Sequence, residues 1–342
     1  MKIPAQSKAA DLLDRVLDWT VAPGYSKVGY EVRGRIWGRE VLELEGKTAI
    51  VTGATSGIGE AACVGMARGG AEVHLVVRNL EKGEEARERV AAAAGVDPGL
   101  LTLHRCDLSS LASVRSFASA FLGAHPKLDV LVNNAGVLPP ERTHTDEGFE
   151  LTFATNVLGP FLLTAKLLPA LRGAAPARVV NVSSGGMPAA KLDVDDPQLE
   201  GRDFNGTRFY AHTKRAEVVL GDEWARRLAP DVQVFSMHPG WVATPGLAES
   251  LPGFDKWAKP LLRDPAAGAD TIVWLAGSPQ LLGQTGGFWH DRRRRSEYRV
   301  PHTRETAEER ERFFAECERL AGVEVPTDTD PDIDIDTGAT RA

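Results

Sequence analysis

Tyr210 and Lys214 stand four residues apart in the stretch YAHTK. On a helix that spacing puts a phenol and an ammonium on one face, one turn apart. A free tyrosine ionises near pH 10 and is a poor base at neutrality. Two unit charges at about 4 Å in an effective dielectric of 20 interact by about 4 kcal/mol. At about 1.36 kcal/mol per pKa unit, the neighbouring ammonium can lower the phenol's pKa by up to ~3. The pair therefore reads as a tuned proton donor and acceptor, of the kind needed where a carbonyl becomes an alcohol or the reverse. Taken alone, the same pair also fits an ordinary exposed helix face.

A second group of residues points at a phosphate. TGATSGIG sets Gly53, Gly57 and Gly59, with Thr55, Ser56 and Ile58 between them, after an apolar run and before a helical pattern. Glycines there let the backbone approach a phosphate and aim a helix N-terminus at it. The next strand pattern, EVHLVVR, ends in Arg78, nineteen residues after Gly59, with no acid at its end. In a dinucleotide fold an acid at that point binds the ribose 2′-hydroxyl, and an arginine accommodates a 2′-phosphate. NADP(H) is the expected cofactor; a solvated surface arginine is the other reading of Arg78.

The elements that carry these residues alternate along the chain. KTAIVTG, EVHLVVR, LTLHRCDL, LDVLVNNAG, ARVVNVSS and VQVFSMHPG read as strands, and helical patterns fill the intervals. A long helix is expected near 148–172, another over about 208–229, and a third near 265–277 before GQTGGFW closes the sheet. Such alternation implies a parallel sheet covered on both faces, an α/β doubly wound Rossmann-type domain. RETAEERERFFAECERLAG reads as a final helix with Phe313, Cys317 and Leu320 on one stripe. The expected layout is an N-terminal extension (1–45), a nucleotide-binding catalytic domain (46–303), a C-terminal helix (304–322) and a disordered acidic tail (323–342).

Composition sets limits on function. The 342 residues carry a net charge of −7, which argues against nucleic-acid binding. Residues 323–342 hold six acids against one base, so most of that charge sits in the tail. Cys63, Cys106 and Cys317 form neither a disulfide framework nor a metal spacing, which suits a reducing, cytoplasmic setting. The eight histidines show no metal spacing either. No apolar run is long enough to be read as a membrane span. The extension has seven acids and seven bases. Leu12, Leu13, Val16 and Leu17 recur at helical spacing in it, so an amphipathic helix near 8–19 is expected to pack on its own domain or on a partner subunit. That leaves room for a homo-oligomer.

With these motifs in order, residues 46–290 resemble the short-chain dehydrogenase/reductase superfamily. The resemblance rests on TGATSGIG, CDL (106–108), NNAG (133–136), ATNVLGPF, VSS (182–184), YAHTK and HPGWVAT (238–244). HLVVRNLEKGEEARE and FATNVLGPFLLT are similar to its retinol-dehydrogenase-like branch. The resemblance implies a catalytic tetrad of Asn156, Ser184, Tyr210 and Lys214. It implies that Asp107 contacts the adenine with Leu108 beside it, and that Asn134, Ala135 and Gly136 line the cofactor cleft. Pro239, Gly240, Val242 and Thr244 would hold the nicotinamide carboxamide. Ser184 and Tyr210 are 26 residues apart, wider than in most of the family, and the extra residues read as a loop near the active-site mouth. Ser183 is the alternative to Ser184.

The expected activity is NADP(H)-dependent interconversion of a carbonyl and an alcohol on a hydrophobic substrate. A non-catalytic NADPH-binding redox sensor is the alternative on the same fold. His212, at i+2 from Tyr210, should face away from the Tyr–Lys pair, and His238 should be structural. DRRRR (291–295) reads as a solvated basic face that could steer an anionic cofactor or pair with the tail. PGLAESLPGFDKWAKPLL (245–262) reads as a mobile lid over an apolar substrate.

Overall fold

The structure, a computed structural model, describes residues 8–37, 40–250, 252–326 and the pairs 333–334 and 339–340. The extension opens with α1 (Lys8–Trp19), α2 (Val21–Tyr25) and α3 (Lys27–Gly34). The sheet begins with β1 (Thr48–Thr52), whose last four residues are all buried. Then come α4 (Gly57–Arg68), β2 (Glu72–Val77), α5 (Leu80–Ala94), β3 (Leu101–Arg105), α6 (Leu111–Ala124) and β4 (Val130–Asn133). Next, α7 (Leu151–Phe153), a π-turn (Ala154–Leu158) and α8 (Gly159–Gly173) run on as one rod. β5 (Ala177–Val182), α9 (Gly206–Leu228) and β6 (Val232–Met237) follow, then α10 (Pro245–Ser250), α11 (Pro252–Ala258) and α12 (Pro265–Gly277). β7 (Phe288–His290), β8 (Arg293–Arg295) and α13 (Ala307–Ala321) complete the domain.

The eight strands lie in the order β3-β2-β1-β4-β5-β6-β7-β8. Seven run parallel, and β8 pairs antiparallel with β7. The order reverses between β1 and β4, so a crevice opens beyond the carboxyl ends of those two strands. α4, α5 and α12 cover one face, and α6, α8, α9 and α13 cover the other. α13 belongs to the same core: Phe313 and Cys317 are fully buried, and Phe314 packs at 5.1 Å from Phe161 and 5.0 Å from Trp224. Each such buried phenylalanine contributes about 1.5–3 kcal/mol.

Several elements differ from the sequence reading. β8 is built from the basic run itself, which therefore is no solvated face. Arg292 pairs with Asp270, and Arg293 and Arg295 pair with Asp14 of α1. α1 is present, but its apolar stripe is turned outward: Leu12, Leu13 and Val16 are exposed and only Leu17 of the four is buried. The physical reason is Asp14, which is buried and bonded to three guanidiniums, those of Arg33, Arg293 and Arg295. Orientation follows the ion pairs, because leaving any of these charges buried and unpaired would cost several kcal/mol.

The rod Leu151–Gly173 is long and apolar enough to cross a membrane by length and composition, and 89% of its most apolar window is buried in the domain. It is apolar because it fills the core beneath the sheet. Residues 323–326 still pack on the domain, with Val325 buried and its N–H donating to Glu318. Of the rest of the tail, Ile333–Asp334 and Ala339–Thr340 pair as short antiparallel strands. The remainder of the segment expected to be disordered lies outside the described residues.

Candidate active site

The glycine turn follows β1 at the sheet's reversal. Gly53 and Gly57 have φ of +66° and +60°, a region L side chains rarely adopt. A Cβ on Gly59 would fall against the Gly53 carbonyl and 2.5 Å from Asn134 Nδ2. The turn is thus a cradle only glycine can form. α4 starts at its end, and Ser56 makes no side-chain cap there. By contrast α5, α6, α9, α12 and α13 are each capped by a side chain (Asn79, Ser110, Asn205, Asp264 and Thr306). Open N–H groups beside a side-chain-free cradle fit a pyrophosphate. Ser56 is exposed, and Thr55 and Ile58 are half-buried along the same turn. Arg89 braces it from behind, donating to the Thr55 carbonyl at 3.0 Å and pairing with Glu60.

Arg78 stands exposed at the end of β2, and among the described residues its side chain has no hydrogen-bond or ionic partner. It is free to meet a 2′-phosphate. Asp107 is half-buried after β3 and accepts from Ser109 through Oδ1, with Leu108 buried next to it. Asn134 braces the cleft more than it lines it: its Nδ2 donates to the Thr52 carbonyl at 2.9 Å. Ala135 is half-buried and Gly136 is exposed. A Cβ on Gly136 would lie 3.3 Å from Lys214 Nζ, so the NNAG turn reaches the catalytic side.

On that side α9 presents Tyr210 and Lys214 as its spacing requires. Ser184, half-buried just past β5, lies near enough to the Tyr210 hydroxyl to favour its ionised form. Ser183 is occupied elsewhere, its buried hydroxyl donating to the Lys214 carbonyl at 2.7 Å. Of the two, Ser184 is the one left near the Tyr210 hydroxyl. Asn156 sits fully buried in the π-turn, where the wider helical winding aims its side chain at Val137 and Thr213. It accepts from the Val137 N–H at 2.8 Å and donates to Thr213 Oγ1 at 3.0 Å. π-turns of this sort recur at functional sites.

The electrostatics differ from the simple pair. Lys214 Nζ lies 5.5 Å from the Tyr210 ring centre and donates to the Val182 carbonyl and to Glu217, at 2.9 and 2.6 Å. Burial of the phenol raises the Tyr210 pKa above its ordinary value; Lys214 and Ser184 oppose this and Glu217 adds to it. The expectation that Lys214 carries Tyr210 down toward neutrality therefore does not hold for the protein without its cofactor. The main reason is burial of the phenol, which outweighs the ammonium, and Glu217, one turn further along α9, adds to it. Burial pushes the Glu217 carboxyl up to about 7 although Lys214 pulls it down. Burial also pulls Lys214 down, but Glu217 and Tyr210 together outweigh it and the net direction is upward. Sequence reasoning missed Glu217, although its i+3 spacing from Lys214 was visible.

The loop after β6 forms the opposite wall. Pro239, Gly240 and Thr244 are half-buried and Val242 is buried. Gly240 has φ of +82°, and a Cβ there would meet Arg263 Nε at 2.5 Å and the Tyr25 carbonyl at 2.6 Å. The extension thus reaches this wall, a contact that no local pattern in the chain signals. Tyr25 is buried, packs edge-on to His238 at 4.4 Å, and lies where a Cβ on Gly185, next to Ser184, would touch it at 2.6 Å. Arg263 donates to the Tyr25 carbonyl at 3.0 Å and pairs with Asp291 at 2.6 Å. His238 is structural, as expected: it is buried and stacked on His290 at 3.8 Å.

The segment expected to be a lid forms α10 and α11, with Ser250 Oγ donating to the Leu138 carbonyl at 3.2 Å and Trp257 exposed. The insert 185–208 is held to α9 by its Asp193 N–H, which donates to His212 Nε2 at 3.0 Å. A cavity of about 770 Å³ lies between the insert and the α9 face that carries Arg208 and His212, away from Tyr210. At the other end of the sheet, three histidines that looked scattered come together. His74 Nδ1 lies 2.8 Å from His104 Nε2, and donor atoms of Glu72, His74 and His125 fall within 4.8 Å of one another. Strand pairing of β2 with β3 brings His74 beside His104, and His125 joins them from the end of α6, a meeting not readable from spacing.

Known proteins with this arrangement are numerous. The family model described as short chain dehydrogenase matches residues 47–195. Dehydrogenase/reductase SDR family member 12 of Bos taurus is 40% identical over 301 residues, covering 87% of this chain and 94% of that protein. Retinol dehydrogenase 14 of Mus musculus is 38% identical over 265 residues, covering 72% of this chain and 78% of that protein. Among solved structures, RhlG of Pseudomonas aeruginosa in an NADP active-site complex superposes with a TM-score of 0.59 at 26% identity, covering 73% of this chain and 96% of that one. The chain belongs to the short-chain dehydrogenase/reductase family, in its retinol-dehydrogenase-like branch.

Proposed function

We propose that the protein is an NADP(H)-dependent oxidoreductase that interconverts a carbonyl and an alcohol on a hydrophobic small molecule. The observation that carries this reading is the grouping of Ser184 and Lys214 about Tyr210, with Lys214 Nζ 5.5 Å from the Tyr210 ring centre and Ser184 near its hydroxyl. NADPH, when bound, supplies the hydride. Tyr210 donates its proton to the carbonyl oxygen, and Ser184 donates a hydrogen bond that holds that oxygen in place. Lys214 returns the proton to Tyr210. Asn156 fixes the NNAG turn by its bonds to Val137 and keeps α9 in register through Thr213. Oxidation of an alcohol runs the same path in reverse.

The cofactor preference rests on Arg78, and on the solved relative that holds NADP in its active site. A hydrophobic substrate is supported by Trp241 and Trp257, whose rings lie 6.4 Å apart beside the loop after β6, and by the relative named for retinol. The outward face of α1, with Leu12, Leu13, Val16 and Trp19, suits a second copy of the chain, which light scattering would detect. A reducing, cytoplasmic setting goes with three buried free thiols. The test is a screen of NADPH oxidation over aldehydes, ketones, retinoids and steroids. Turnover of at least one apolar carbonyl is expected. Tight NADPH binding with no turnover across the panel would favour a cofactor-binding sensor instead.

A further inference from the structure

Behind the Tyr210–Lys214 pair lies a small polar chamber. Glu217 is buried on α9 and binds Lys214 Nζ through Oε1 at 2.6 Å. Its other oxygen, Oε2, is buried with no partner, and so is Asn133 Oδ1 on β4. Both residues line a cavity of about 20 Å³, together with Asn156, Thr164 and Asn181. That is the room one water needs, and a water needs two to four polar partners. Two orphaned acceptors facing one such space call for a molecule with two donors, which a water is. Asn133 is held in place for this, its Nδ2 donating to Asn181 Oδ1 at 2.9 Å and to Thr164 Oγ1 at 3.2 Å.

The groups facing Glu217 are few. On its own helix they are Lys214 and, beyond it, Tyr210; from β4, β5, α8 and the π-turn come the uncharged Asn133, Asn181, Thr164 and Asn156. The remaining walls are apolar, from Val157, Pro160, Phe161, Leu220 and Trp224. Lys214 is the one charge acting on the carboxyl.

We propose that Glu217 is the proton store behind the Tyr210–Lys214 pair, exchanging its proton with Lys214 during turnover and held for that task by a water bound between Oε2 and Asn133. This rests on the oxidoreductase reading above. In reduction, the carbonyl carbon gains the hydride and its oxygen takes the Tyr210 proton. The phenolate takes a proton from the Lys214 ammonium, and the resulting amine takes one from the Glu217 carboxyl. Glu217 is left as a carboxylate bonded to the chamber water, and solvent restores one proton before the next turnover. Oxidation fills the carboxylate by the same steps reversed. A carboxyl whose pKa burial has lifted to about 7 is matched to this exchange near neutrality.

Glu217 touches neither substrate nor cofactor, so it is a positioning and relay residue, and Glu217→Gln tests it. The amide oxygen can still accept from Lys214, which keeps the packing. In the native protein with saturating NADPH, reduction should slow by about tenfold per pH unit once the pH exceeds the Glu217 pKa. Glu217→Gln should bind NADPH unchanged, turn over at least about tenfold more slowly at low pH, and lose that inflection. Infrared difference spectra should show a buried carboxyl band that titrates near neutrality in the native protein and is missing in the variant. A variant profile that superimposes on the native one, or no such band, overturns the proposal. If no carbonyl is turned over, the oxidoreductase reading fails, and the infrared titration still decides whether Glu217 exchanges a proton.

Discussion

The Trp241 N–H donates to the Tyr25 carbonyl at 2.8 Å, so the N-terminal extension is bonded directly to the loop after β6. Tyr25 also donates no slack on the other side, since its ring fills the space beside Gly185, next to Ser184. The extension is therefore part of the active-site wall.

Tyr25→Ala should destabilise the protein by about 3 kcal/mol, the low end for truncating a large buried aromatic. Because the lost ring supports Ser184 and the loop after β6, turnover should fall as well. Denaturant unfolding with the midpoint and slope both fitted measures the first effect. Steady-state kinetics on a substrate from the panel measures the second. A variant as stable and as active as the native protein would show that the extension only covers the surface.

Asp14 gives a pH prediction. Burial raises its pKa, but the hydrogen bond and charge of Arg295, and then Arg33, outweigh it and hold the carboxyl at about 2. A depressed carboxyl stabilises the folded state above its unfolded pKa, and that stability is lost as the pH falls through the folded value. Set against an unfolded value near 3.8, the difference amounts to about 2 kcal/mol. Asp14→Asn should therefore cost about 2 kcal/mol or more at neutral pH. The gap between variant and native protein should narrow between about pH 4 and pH 2, where the native carboxyl takes up its proton. Paired unfolding curves across that range would show it. A gap that stays constant would mean that Asp14 is not the anchor of α1.

Arg78 sets the cofactor prediction. A hydrogen bond to a charged group contributes about 1.5–3 kcal/mol, a preference of roughly 10- to 150-fold. NADPH should bind at least about tenfold more tightly than NADH. Arg78→Asp should reverse the order, because a carboxylate repels the 2′-phosphate and accepts from a 2′-hydroxyl. Calorimetric titration of both cofactors into both proteins decides it. Equal affinities in the native protein would leave Arg78 a solvent-facing side chain.

Much of this was legible in the chain. Local patterns set the strands and helices from β1 to β7, because each is either a short apolar run or an amphipathic repeat bounded by glycine or a capping residue. The Gly53–Gly59 turn and the Tyr210–Lys214 spacing were readable for the same reason: both are fixed by neighbours in sequence. What was not readable depends on distant partners. The outward stripe of α1 follows from Asp14 meeting Arg293 and Arg295, residues 279 and 281 positions away. β8 hid behind a run of arginines that look solvated until those acids cover them. Tyr25 reaches Trp241 from the far end of the chain, and the Glu217 chamber needs β4 and β5 beside α9 before Asn133 and Asn181 face it.

If Tyr210 is the proton donor in an NADPH-dependent carbonyl reduction, its hydroxyl governs the single-turnover oxidation of enzyme-bound NADPH by a confirmed substrate. Tyr210→Phe removes only the hydroxyl. It should bind NADPH with native affinity and lose at least about a hundredfold in the rate of the chemical step, as removal of a general acid does. A variant that oxidises bound NADPH at close to the native rate would mean that Tyr210 is not the proton donor.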